Sequence, residues 1–203
     1  MLELVGVAFL MGVVGSLHCI GMCGPFAVLC GGKREHLAGW HLGKLATYAL
    51  LGAVAGGLGA IVPGPAWLAP GISAVLLTWF AASALGLAPE PSVTLPGLSR
   101  LGARLVATDG LGSRVAFGAV NGLLPCGLVY AGLGLAITAG RPASGALVMA
   151  AFGAGTAPLV TLFARSTGLL EKRHPNLHRG LAVAAALVGL WVIARRGMTP
   201  LVH

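Results

Sequence analysis

Apolar residues along this chain come in long blocks, separated by short clusters of glycine, proline and charge. The first block covers about 4–30 and ends at Gly31-Gly32-Lys33-Arg34-Glu35. The second, about 37–62, ends at Pro63-Gly64-Pro65, and the third, about 70–87, ends at Pro89-Glu90-Pro91. A polar linker follows, in which 95–105 reads as a short interfacial helix with Arg100 and Arg104 one turn apart. The fourth block covers about 115–139, the fifth about 143–163 after the turn at Arg141-Pro142, and the sixth about 180–194, before Arg195-Arg196. A helix needs roughly 20 apolar residues to cross about 30 Å of hydrocarbon. The pattern therefore predicts an all-α polytopic membrane protein with six transmembrane helices in a single transmembrane domain.

Composition agrees. The 203 residues are 57% hydrophobic and 9% charged, with a mean hydropathy of +0.91, outside the range of soluble domains. A cleaved leader is not expected, because residues 1–31 lack a basic start and carry Glu3. The net charge of +8 does not point to nucleic acid, since no basic stripe is interleaved with aromatics. It is distributed as membrane topology would have it. With the N-terminus outside, the inner side holds Lys33, Arg34, Lys44, Arg100, Arg104, Arg114, Arg165, Lys172, Arg173 and Arg179, and the outer side only Arg141, Arg195 and Arg196. That bias predicts a multi-pass protein with both termini outside.

A short internal repeat changes the picture. Gly15-Ser16-Leu17-His18-Cys19 in the first span matches Gly122-Leu123-Leu124-Pro125-Cys126 in the fourth, 107 positions later. Three spans separate the copies, so the second is inverted, and the chain reads as a 3+3 inverted repeat: about 1–88, a linker of about 89–112, and about 113–203. Folds of this kind place their working site near the midplane, on helices broken at corresponding positions. Helices 1 and 4 are expected to be the broken ones, at Gly21 with Gly24-Pro25, and at Gly122 with Pro125. Gly153, Gly155 and Pro158 predict another interruption in the fifth span.

The chemistry concentrates at the same places. Cys19 and Cys126, as counterparts in the two halves, can meet at the repeat interface and open or close a disulfide if their Cα atoms approach to about 4.4–6.8 Å. A helix break helps, because freed backbone N–H groups stabilise a thiolate. Cys23, four residues from Cys19, shares its helix face, but Cβ vectors at that spacing run parallel and aim a disulfide poorly. His18, Cys19, Met22 and Cys23 together offer soft donors suited to Cu(I), with Ni less well matched. Asn121 is placed to bond backbone freed by the second break. His41 and Lys44 read as interfacial anchors near the end of the second span, which leaves no cation in the expected site. Cys30 reads as an ordinary thiol at the membrane boundary. No Walker loop or nucleophile elbow is present and carboxylates are few, which argues against a conventional enzyme.

Four motifs carry a family resemblance: residues 15–25, Gly-Ser-Leu-His-Cys-Ile-Gly-Met-Cys-Gly-Pro; Leu42-Gly43-Lys44 with Tyr48 through Gly52; Leu124-Pro125-Cys126-Gly127-Leu128-Val129-Tyr130; and Phe152-Gly153-Ala154-Gly155-Thr156-Ala157-Pro158. Together they resemble the UreH-like transmembrane family, also labelled sulfite exporter TauE/SafE, within the CcdA/DsbD cytochrome c biogenesis group. The resemblance implies a six-helix inverted repeat in the bacterial inner (plasma) membrane. It implies that Cys19 and Cys126 pass reducing equivalents from a thioredoxin-like protein on the cytoplasmic side to a thiol protein outside. Pro125 keeps the proline that precedes the fourth-span cysteine. The departures are His18, where that group usually has proline, and the added Met22 and Cys23.

The leading expectation is a thiol–disulfide electron carrier that requires no cofactor beyond Cys19 and Cys126. The rival is a Cu(I) or Ni transporter using His18, Cys19, Met22 and Cys23 and served by a metallochaperone. A membrane assembly factor whose cysteines only pack is the third reading.

Overall fold

The structure, a computed structural model, describes residues 1–30, 33–61, 71, 74–75, 78–79, 96–124 and 126–173. Their regular structure is helical throughout: α1 (Leu2–Val14), α2 (Ser16–Leu29), α3 (Arg34–Ile61), α4 (Pro96–Ala107), α5 (Leu111–Gly122), α6 (Gly127–Thr138) and α7 (Pro142–Arg173). The chain forms two units, Met1–Ala164 and Arg165–His203. The second is described only through the end of α7, and the site lies in the first.

By length and hydropathy, α3 and the Pro142–Leu170 part of α7 each suffice to cross a membrane. Two bent pairs pass the same test taken together, each as a broken span or a re-entrant segment: α1 with α2, at 64°, and α5 with α6, at 80°. These correspond to the second, fifth, first and fourth spans expected from sequence. The third and sixth fall outside the described residues, apart from isolated helical positions at 71, 74–75 and 78–79. The linker helix forms as α4, and its Leu105 and Val106 pack on a cluster containing Phe117 of α5.

Helices 1 and 4 are broken, but the first break is displaced from its expected position. α2 runs through Gly21, Gly24 and Pro25 without interruption, and the bend sits at Gly15. Gly15 has φ −72° and ψ −5°, off the helical ψ near −42°. The Ser16 hydroxyl donates to the Gly12 carbonyl at 2.8 Å, a back-bond of the kind that bends helices. Pro25 removes the N–H that would reach Gly21, yet Gly21 has open space around it and its backbone can tilt to relieve the ring.

The second break falls where expected. α5 stops at Gly122, Leu123 and Leu124 close a turn onto the Val120 and Asn121 carbonyls, and α6 starts again at Gly127. Pro125 itself lies outside the described residues. The interruption expected at Gly153, Gly155 and Pro158 does not occur: α7 is continuous through all three. The glycines there serve packing. A Cβ on Gly155 would collide with the Phe9 carbonyl of α1, and one on Gly153 would come 3.0 Å from the Leu45 and Tyr48 side chains of α3.

The same device draws α3 and α5 together. A Cβ on Gly43 would overlap the Val115 carbonyl, and one on Gly118 the Trp40 carbonyl. Small residues allow this backbone approach where hydrophobic drive between helices is absent. Two core clusters result. One gathers Ala8, Tyr48, Met149 and Phe152, and the other Cys19, Cys30, Trp40 and Phe117. Leu128, two residues after Cys126, packs on both.

Candidate functional site

The two bends meet. Leu128, at the start of α6, lies against Gly15 at the α1–α2 bend, where a Cβ would come 2.7 Å from Leu128 Cδ1. Cys19 is one helical turn past that bend and is buried. Cys126 is the residue that caps α6, extended at φ −127° and ψ 153°, the backbone geometry of an N-cap. Its sulfur faces the amides of Leu128 and Val129. These are N–H groups of the first turn, a position that favours negative charge; the Val129 N–H also donates to the Cys126 carbonyl at 3.1 Å.

Cys19, Cys23 and Cys126 lie close enough to act on one another electrostatically. All four cysteines are free thiols. Cys23 is half-buried beside the Asn121 amide, on the last turn of α5. Both polar atoms of that amide are buried without a conventional hydrogen bond, so Asn121 faces the thiol instead of repairing freed backbone.

Lys44 and His41 are not interfacial anchors. Lys44 is 1% exposed, and the Cys23, Cys19 and Cys126 thiols are within its electrostatic range. Its Nζ donates to Thr156 Oγ1 of α7 at 3.0 Å and sits 5.1 and 5.7 Å from the ring centroids of Trp40 and Tyr48. The cluster therefore contains a basic side chain where none was expected. Burying an ammonium costs several kcal/mol. A hydrogen bond to a charged group offsets roughly 1.5–3 kcal/mol and a ring face roughly 0.5–2 kcal/mol. His41, stacked edge-on against Trp40 at 4.8 Å, shares a 2.8 Å hydrogen bond between Nε2 and Thr161 Oγ1. Sequence reasoning missed this lysine because a Lys near a predicted helix end normally snorkels to the interface. The signal available was its place in the Leu42-Gly43-Lys44 motif, beside the glycine that draws α3 onto α5.

The soft-metal donor set is not gathered. Met22 is 47% exposed, whereas Cys19, one turn before it on α2, is buried, so the thioether is not enclosed with the thiol. His18 is half-buried. Among the described residues no three His, Cys, Asp or Glu side chains come together as a metal site. Cys30 is buried rather than an exposed boundary thiol, and it donates to the Phe26 carbonyl at 3.6 Å.

Residues 7–191 match the cytochrome C biogenesis protein transmembrane region. The chain belongs to that family. It is a multi-pass membrane protein, and the family is one of thiol–disulfide transfer in cytochrome c biogenesis. No curated protein and no solved structure matches it. The family match takes in both bends, so Cys19 and Cys126 lie within it.

Proposed function

We propose that this protein moves reducing equivalents across the membrane by thiol–disulfide exchange, with Cys19 and Cys126 as the exchanging pair. The observation that carries the reading is the convergence of these two thiols, from matching positions of two bent spans, beside a helix N-terminus. A packing role would not require a cysteine at an N-cap, where Ser, Thr, Asp or Asn is preferred. Exchange proceeds through a mixed disulfide, so each sulfur must become accessible in turn to a partner's thiolate. In this reading the chain is of the UreH-like kind. The six-span inverted repeat lies in a bacterial inner membrane with both termini outside, and a thioredoxin-like protein donates from the cytoplasm to a thiol protein outside.

Cu(I) or Ni transport is the weaker reading on the donor set. Met22 is largely exposed while Cys19 is buried, and among the described residues no three His, Cys, Asp or Glu side chains gather as a metal site. The test is trapping with a thioredoxin whose resolving cysteine is replaced by serine. Mixed disulfides through Cys19 or Cys126, retained in C23S, are the expected result. Loss of function in C23S with full function in C126S defeats the reading in favour of a metal site. Full function of both C19S and C126S defeats it in favour of an assembly role.

A further inference from the structure

The basic group buried beside the thiols is Lys44, and among the described residues no carboxylate pairs with it. Among the described residues the one ion pair is Arg114–Asp109 at 3.5 Å, on the turn between α4 and α5, and Arg114 acts on Cys30 rather than on the cluster. Thr156, the acceptor for Lys44 Nζ, is fully buried and is neutral, and its own hydroxyl is donated to the Gly153 carbonyl at 2.8 Å. Lys44 Nζ sits between the rings of Trp40, whose core cluster holds Cys19 of α2 with Cys23 packed on it, and Tyr48, on whose cluster Cys126 packs from the start of α6; His41 of α3 and the uncharged Thr156 of α7 complete its surroundings. Across that shell the groups able to present an anion are the thiols and one phenol. The lysine is held fixed by a hydrogen bond and two ring faces, so its charge is preorganised rather than free to swing away.

We propose that Lys44 is a positioning residue of the thiol site, whose ammonium stabilises negative charge on sulfur during exchange. This rests on the thiol–disulfide reading above. Reduction of a Cys19–Cys126 disulfide begins when a partner thiolate attacks one sulfur. The S–S bond breaks, and the displaced sulfur leaves with the electron pair as a thiolate. The partner's second thiolate then attacks the mixed disulfide, releases the other cysteine and departs as a disulfide. Two electrons have entered, and the two released thiolates take up protons to give the dithiol. Lys44 keeps its own proton throughout. At each step negative charge is spread over three sulfurs, and a fixed cation stabilises that distribution more than it stabilises a neutral disulfide.

The experiment uses the full chain, reduced, in lipid nanodiscs. N-ethylmaleimide alkylation of each cysteine is resolved by mass spectrometry from about pH 6 to about pH 9, which brackets the free-thiol value near 8.5. Dithiothreitol reduction of the oxidised protein is timed in parallel. Wild type is expected to hold at least one cluster thiol that reacts well at neutral pH. Lys44→Met should slow both reactions about tenfold or more and move the alkylation profile to higher pH, while Lys44→Arg restores most of the rate. A Lys44→Met profile that overlays wild type overturns the proposal, and so does Lys44→Arg failing as badly as Lys44→Met. If Lys44→Met does not fold, wild type decides: cluster thiols no more reactive at neutral pH than a free thiol overturn it. Mixed disulfides with an unchanged Lys44→Met profile defeat this inference alone. A Lys44 effect without mixed disulfides defeats only the transfer reading.

Discussion

Gly15 and Leu128 hold the two bent spans against each other: the Leu128 side chain occupies the space a Cβ at position 15 would take. The bend at Gly15 sets the position of Cys19, and Leu128 follows Cys126 by two residues. Gly15→Val is therefore expected to separate the cysteines. Oxidative cross-linking of Cys19 to Cys126, read by peptide mapping, should fall several-fold. Gly21→Ala, at a helical position with open space around it, should leave cross-linking intact and raise stability by about 0.5–1 kcal/mol. Equal cross-linking in Gly15→Val and wild type would sink the idea that this contact registers the bends.

Thr156→Val removes the acceptor of a buried ammonium while keeping the shape of the side chain. The cost should be about 1–3 kcal/mol, read as a lower midpoint in thermal unfolding in detergent, with Thr156→Ser close to wild type. If Val and Ser variants melt together, the hydrogen bond contributes little.

Asn121 separates stability from function. Its buried amide makes no conventional hydrogen bond, so Asn121→Leu removes an unsatisfied polar group at similar volume. Unfolding should be unchanged or shifted upward. Alkylation of Cys23, which the amide faces, should change several-fold. A clear loss of stability with unaltered Cys23 reactivity would show Asn121 to be structural only.

Close backbone approach between α3 and α5 predicts that Gly118→Ala and Gly43→Ala are poorly tolerated, since each new methyl meets a main-chain carbonyl that no rotamer can move. Folded yield on size exclusion should drop sharply for both. Gly6→Ala, in open space on α1, is the matched control.

Cys30→Ser is expected to spare transfer. Its thiol is buried against its own helix, bonded to Phe26, and sits by Arg114 rather than Lys44. Loss of mixed-disulfide formation in this variant would place Cys30 in the pathway.

The chain by itself determined that this is a helical membrane protein, through the length of its apolar blocks, and marked Cys19 and Cys126 as counterparts, through the repeat of Gly15 to Cys19 at Gly122 to Cys126. It also located the second bend, at Gly122 with Pro125, although glycine with proline at Gly24-Pro25 and at Gly155 with Pro158 interrupts no helix. Tertiary structure decided the rest. The first bend lies at Gly15 rather than at Pro25 because a serine hydroxyl competes locally for a carbonyl and Leu128 fills the space at the turn, neither of which a glycine–proline count reports. α7 stays continuous through Pro158, which is flanked by the core residues Phe152 and Val160. Lys44 became part of the site only when α3, α5 and α7 closed around it. A long polar side chain can reach water or the core from the same position, and only the neighbouring helices choose which.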